Sequence, residues 1–195
     1  MAEPRQVAFL IFDDMEDLDF AGPYEVFAVA ARTQQPTPFA VYTVAENDAV
    51  TTRGGLRLIP HYTVHNCPPP DILLVSGGWG TRVLLDRDDL LDWIRAQAAR
   101  VEHVLSVCTG ALVLARAGLL DGLGATTHHS AFDLLRAEAP TAEVYEDRRY
   151  VDNGQVITSS GISAGIDMAL HVVARLLGSE AAQATADYME YRWLP

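Results

Sequence analysis

Five short runs rich in Val, Ile and Leu, at residues 5–12, 38–45, 71–76, 102–107 and 155–159, alternate along this chain with longer segments of helical period. Alternation of that kind is the pattern of an α/β fold: a mostly parallel sheet sandwiched by helices, each crossover carrying the chain back to start the next strand. The spacing predicts helices over Tyr24–Arg32, opened by Gly22-Pro23, and over Thr81–Arg100, with Leu84, Leu85, Leu91 and Ile94 on one face. It also predicts helices over Ala111–Leu120, Ala131–Ala139, 163–177 and 179–191. Asp152-Asn153-Gly154 reads as a hairpin turn, since Asn-Gly tolerates the positive φ of a tight turn. At 195 residues and 49% hydrophobic composition, one core is expected, so residues 1–195 are read as a single domain.

Several function classes are set aside by what the chain lacks. No uninterrupted apolar segment approaches membrane-spanning length, and Met-Ala-Glu-Pro-Arg at the start has no cationic region leading into a cleavable signal. The expectation is a cytoplasmic protein with no membrane partner. Two cysteines in different contexts, Cys67 and Cys108, do not make a disulfide framework, so reduced thiols are expected. Against 14 basic residues stand 26 acidic ones, for a net charge of -12 spread along the chain, which repels nucleic acid. No solenoid-period repeat is present, and Pro68-Pro69-Pro70 reads as a short loop.

In parallel α/β sheets, sites collect where strands end at their carboxyl side. Three such segments read together here: Asp13 to Asp19, Gly77-Gly78-Trp79-Gly80, and Cys108-Thr109-Gly110. Cys108 falls on a sharp strand-to-helix turn with Gly110 relieving the crowding beside it. The partial positive charge of a helix start predicts a thiol pKa brought down toward neutrality, and the amides around Thr109 are candidates to hold developing negative charge. A buried structural cysteine is the commoner state in general, but the C-T-G turn points away from it, and Cys67 lacks any such setting. Asp19, flanked by Leu18 and Phe20, is a candidate desolvated carboxyl able to exchange a proton, although taken alone it reads as a helix N-cap. His128 is a candidate base, or else a hydrogen-bonded structural histidine.

Other motifs are read as decoys. Adjacent His128 and His129 make a poor metal pair, and Pro60 argues against a helix that would align His61 with His65, so no metal is expected. Gly161-Ile162-Ser163-Ala164-Gly165 matches the serine nucleophile elbow, yet its only downstream acid and histidine, Asp167 and His171, fall on the serine's own helix. Its glycines are read instead as permitting close packing near the site.

The residues resemble the ThiJ/PfpI superfamily, with its flavodoxin-like, glutamine-amidotransferase-like α/β sandwich, and within it the isonitrile hydratase branch. The likeness rests on F-L-I-F at 9–12, L-D-F-A-G-P-Y-E-V-F at 18–27, G-G-W-G at 77–80, S-V-C-T-G-A-L-V-L-A-R-A-G-L-L-D-G at 106–122, A-T-T-H at 125–128 and G-I-S-A-G-I-D at 161–167. The resemblance implies Cys108 as nucleophile, Asp19 as its acidic partner, and Thr109 as a neighbour positioning substrate. It also implies an oxyanion-type site around Gly77, Gly78 and Thr109 beside His128, a small electrophilic substrate, a homodimer and no cofactor. Two departures touch the implied pocket: His129 where the hydratase-like proteins usually carry Trp, and Ser76 where they carry Pro. Two alternatives remain beside the hydratase reading. One is a glyoxalase- or deglycase-like activity on reactive aldehydes. The other is a redox or small-molecule sensor related to the front domain of AraC-type regulators. A chain ending at Tyr191-Arg192-Trp193-Leu194-Pro195 leaves no room for a helix-turn-helix, so direct DNA binding is not expected.

Overall fold

The computed structural model describes residues 3–194. Its centre is one seven-stranded sheet built from β1 (Arg5–Leu10), β2 (Phe39–Ala45), β3 (Tyr62–Thr63), β4 (Ile72–Val75), β5 (His103–Val107), β6 (Tyr150–Asp152) and β7 (Val156–Ser159). The spatial order is β6-β7-β5-β4-β1-β2-β3, parallel throughout except for the edge strand β6, which runs antiparallel to β7. The five expected strands are all present, and β4, β5 and β7 are buried along their whole length. Burial on both faces is why β4 reads as an unbroken apolar run and why β5 and β7 carry only small polar residues and His103 among their apolar ones. Asn153 N–H closes the expected hairpin onto Val156 O at 3.0 Å, and Asp152 Oδ1 accepts from Gly154 N–H at 2.7 Å.

The helices are α1 (Asp17–Thr33), α2 (Thr81–Leu84), α3 (Asp88–Ala98), α4 (Gly110–Arg116), α5 (Phe132–Glu138), α6 (Ala164–Leu177) and α7 (Ser179–Tyr188). Of these, α1, α6 and α7 pack on one another, while α4 packs against α2 and α5, so helices flank the sheet.

The three largest departures of helix boundaries from expectation each have a local reason, while the last helix ends at Tyr188, three residues short. First, α1 starts seven residues earlier than Tyr24 and carries Pro23 in its interior. Acidic Asp17 in the first turn favours the earlier start. The missing Pro23 N–H is offset by packing: a Cβ on Gly165 of α6 would stand 3.0 Å from Pro23 Cγ, the close approach expected of that glycine. Second, the segment 81–100 is two helices, because Arg87 leaves helical geometry (φ -105°, ψ 83°) and Asp88 and Asp89 open a new first turn. Third, α4 stops at Arg116: Gly118 takes φ +75°, and the N–H groups of Gly118 and Leu119 return to Ala115 O and Leu114 O, a Schellman ending.

Candidate active site

The carboxyl ends of β1, β4 and β5 lie side by side at the centre of the sheet, and the three segments singled out in the sequence meet there. Their backbones are sewn together: Glu16 N–H donates to Gly77 O at 3.0 Å and Gly80 N–H to Asp14 O at 3.1 Å. Directly after β5, Cys108 takes φ +56°, a left-handed conformation that a residue bearing a side chain adopts at a cost of about 1–3 kcal/mol. Flanking hydrogen bonds hold it there, from Cys108 N–H to Ser159 O at 3.0 Å and from Thr127 Oγ1 to Cys108 O at 2.8 Å.

Asp19 is fully buried on the first turn of α1, as the third helical residue rather than the N-cap, a place Glu16 occupies. Neither carboxyl oxygen has a formed hydrogen bond among the described residues. At longer range they face the Cys108 thiol and the Gly77 amide. The absence of a side chain at Gly77 makes this approach possible: a Cβ there would fall 2.6 Å from Asp19 Oδ2 and 2.7 Å from Cys108 Cβ. Gly161 is equally constrained from the opposite side, since a Cβ would lie 2.7 Å from Cys108 Sγ and 2.8 Å from His128 Cδ2.

Burial dominates the electrostatics. Desolvation pushes the Asp19 carboxyl up from 3.8 to about 7, outweighing the lowering effect of the facing thiol. The Cys108 thiol is pushed up as well, first by burial and then by the neighbouring Asp19 carboxylate, with the Thr109 amide pulling weakly the other way. This overturns the expectation of a thiol brought down toward neutrality: the start of α4 is outweighed by an apolar setting and an adjacent acid. The resting state is therefore a thiol beside a carboxyl poised near neutrality, two groups whose protons are coupled.

The remaining expected residues all fall at this place. Thr109 Oγ1 accepts from Gly78 N–H and donates to Gly78 O, both at 2.9 Å, so the Gly78 amide is occupied at rest. The Gly77 amide faces Asp19, and the Thr109 amide faces the thiol. His128 has its pKa lowered by burial, and its Nδ1 accepts from Ser130 N–H at 3.3 Å, which leaves the proton on Nε2. His129 stacks on His128 with ring centroids 4.2 Å apart and is exposed. Ser76 is buried with its hydroxyl unpartnered among the described residues. Above Cys108 opens a cavity of about 120 Å³, walled also by Glu16, Arg53, Trp79, Arg82 and Ile162. Arg53 and Arg82 were not anticipated. Arg53 arrives on a small ribbon, Val50–Thr51 with Arg57–Leu58, that no apolar run announces, whereas Arg82 stands three residues beyond Trp79 of the G-G-W-G segment.

The model of the DJ-1/PfpI family matches residues 5–175. The chain belongs to the DJ-1/PfpI family. Within it, the chain is 41% identical over 192 residues to an isonitrile hydratase of Pseudomonas putida, a match covering 97% of this chain and 80% of that one. The structure superposes on that of a ThiJ/PfpI family protein from Pseudomonas syringae with a TM-score of 0.88 at 31% identity, covering 99% of this chain and 77% of the other. A helix-turn-helix-type transcriptional regulator of Pseudomonas aeruginosa, GbdR, is 28% identical over 189 residues, and the chain spans about half (51%) of its length. This DJ-1/PfpI domain is thus similar both to an enzyme and to part of a regulator. No helix of the described residues is long and apolar enough to cross a membrane.

Proposed function

We propose that this protein adds water to the terminal carbon of an isonitrile, giving an N-substituted formamide, with Cys108 as nucleophile and Asp19 as proton carrier. The observation that carries this reading is a buried carboxyl without a formed hydrogen bond, raised to about 7 by desolvation and facing a buried thiol. A carboxyl near pH 7 is suited to both giving and taking a proton. Similarity to the Pseudomonas putida isonitrile hydratase supplies the substrate class.

The reaction balances with these two groups. The Sγ–H bond of Cys108 breaks, its proton passes to Asp19 and on to the terminal isonitrile carbon, and the Sγ–C bond forms, giving a thioimidate Sγ–CH=N–R. The Thr109 amide facing Sγ stabilises the passing thiolate. Water then attacks the same carbon while Asp19 takes one of its protons and delivers it to nitrogen. The adduct collapses by breaking the C–S bond, the second water proton returns to sulfur, and H–CO–NH–R leaves. Purified protein given cyclohexyl isocyanide is expected to yield N-cyclohexylformamide, and Cys108→Ala to yield none. No turnover over a range of isonitriles overturns the reading.

The likeness to the regulator favours a second reading, a sensor in which Cys108 is oxidised rather than turned over. Burial and Asp19 count against it, since both hold the sulfur as a thiol and peroxide reacts with thiolates. Mass spectrometry after mild peroxide separates the two: a sulfinic acid at Cys108 without any formamide formation selects the sensor.

A further inference from the structure

The proposed reaction uses no cation, yet two guanidinium groups stand in the wall of the Cys108 cavity. Most arginines near carboxylates in this acidic chain are consumed by them: Arg87 by Glu46 at 2.6 Å, Arg149 by Asp167 at 2.5 Å, Arg175 by Asp152 at 2.6 Å. Arg53, at the cavity mouth, straddles both oxygens of Asp14 at 3.2 Å. Arg82 differs. Its Nη1 donates to two neutral groups, Gly78 O at 3.2 Å and Thr81 Oγ1 at 3.1 Å, and its guanidinium lies 4.7 Å from the Trp79 ring centroid. Among the described residues Arg82 forms no ion pair, and its hydrogen bonds are made through Nη1 alone.

With its carbon over the Trp79 indole and Nη1 held by Gly78 O and Thr81 Oγ1, the guanidinium keeps Nε and Nη2 as a donor pair that matches the two oxygens of a carboxylate. Arg82 is half-buried, so an ion pair formed there is better shielded from solvent than one at the surface. Because Cys108 and Arg82 line the same cavity of about 120 Å³, one small molecule can touch both. Glu16 also lines this cavity and repels an anion, so Arg82 supplies the attraction there.

Building on the isonitrile reading, we infer that Arg82 binds an anionic group on the substrate, so that the preferred substrate is a short isocyano carboxylate rather than a neutral alkyl isonitrile. Its reactive carbon meets Cys108 while its carboxylate pairs with the free edge of Arg82. Arg82 is in this sense a specificity-determining residue, and the acidity of the whole chain does not prevent it, because local charge at the mouth governs the last few ångströms of binding.

The test compares isocyanoacetate with cyclohexyl isocyanide on the whole protein. Wild type is expected to favour isocyanoacetate in kcat/KM, and Arg82→Gln to lower that value about tenfold or more, chiefly through KM, while changing cyclohexyl isocyanide by less than about threefold. Arg82→Lys should restore part of the loss, and raising salt from about 0.05 M to about 0.5 M should raise KM for isocyanoacetate alone. If Arg82→Gln lowers both substrates equally, the residue merely supports Gly78 and Thr81, and the inference is overturned. Turnover of cyclohexyl isocyanide with no preference for the anion also overturns it while leaving the hydration reading intact. Formamide from neither isonitrile overturns both.

Discussion

Two strand-to-helix elbows in this protein, one at Cys108 and one at Ser163, match nucleophile patterns in sequence, and only the first stands beside an uncommitted acid. Ser163 has relaxed helical geometry (φ -74°), is exposed, and its Oγ accepts from Arg149 at 3.3 Å. The acid and histidine that follow it are already engaged. Asp167 is held by Arg149 at 2.5 Å and by Tyr191 Oη at 2.9 Å, while His171 Nε2 pairs with Asp152 at 2.7 Å. Cys108, by contrast, is held at positive φ, is 5% exposed, and faces a carboxyl with no formed hydrogen bond. A motif places a side chain; its chemistry depends on whether the neighbouring proton acceptor is free.

That contrast can be broken by substitution. The largest expected effect is on turnover: Asp19→Asn should lower formamide formation about a thousandfold or more, as Cys108→Ala does, while Ser163→Ala stays within about twofold. A comparable loss from Ser163→Ala would mean the wrong elbow has been chosen.

Next in size is an opposite effect on stability. The Asp19 carboxyl is raised in the folded state, so its contribution is fully present below pH 3.8 and is lost as pH rises to about 7. Above that, the native protein carries a buried charge costing up to about 4 kcal/mol. Asp19→Asn should therefore raise the denaturation midpoint at pH 8 and leave it nearly unchanged below pH 4. Equal midpoints at pH 8 would show that the carboxyl is not desolvated.

Smaller still, Asp167→Asn should destabilise by about 1–3 kcal/mol through the loss of charge toward Arg149, with kcat/KM little changed. Ser163→Ala should cost under about 1 kcal/mol, because Ser163 makes no side-chain capping bond to α6. Urea denaturation of each variant checks both values, and a steep loss of activity in Asp167→Asn would tie the second elbow to the reaction.

Much of the fold was legible because β4, β5 and β7 are buried on both faces and so read as short runs rich in Val, Ile and Leu. Helix starts were less legible: Pro23 looked like an entry signal, but tertiary packing against α6 keeps it inside α1. That the segments bearing Asp19 and Cys108 meet followed from the rule that strand ends converge, whereas Asp19 as partner of the thiol, 89 residues away in sequence, came from the family resemblance, since taken alone it reads as a helix N-cap. What local sequence concealed was the balance of forces at the thiol. A helix start argues for a lowered pKa, and only the assembled structure shows burial and Asp19 outweighing it. Arg53 was hidden for another reason, since the ribbon that brings it has strands of two residues.

The central claim is that Asp19 changes its proton near neutrality, beside a thiol that keeps its own. Infrared difference spectra of wild type against Asp19→Asn, taken across pH 4 to 9, test this without any substrate. With Cys67→Ala in both proteins, so that Cys108 is the one remaining thiol, the protonated-carboxyl band of Asp19 is expected to disappear through a midpoint at about pH 7 while the S–H band of Cys108 persists. A carboxyl already ionised by pH 5, or an S–H band absent at pH 7, would contradict it.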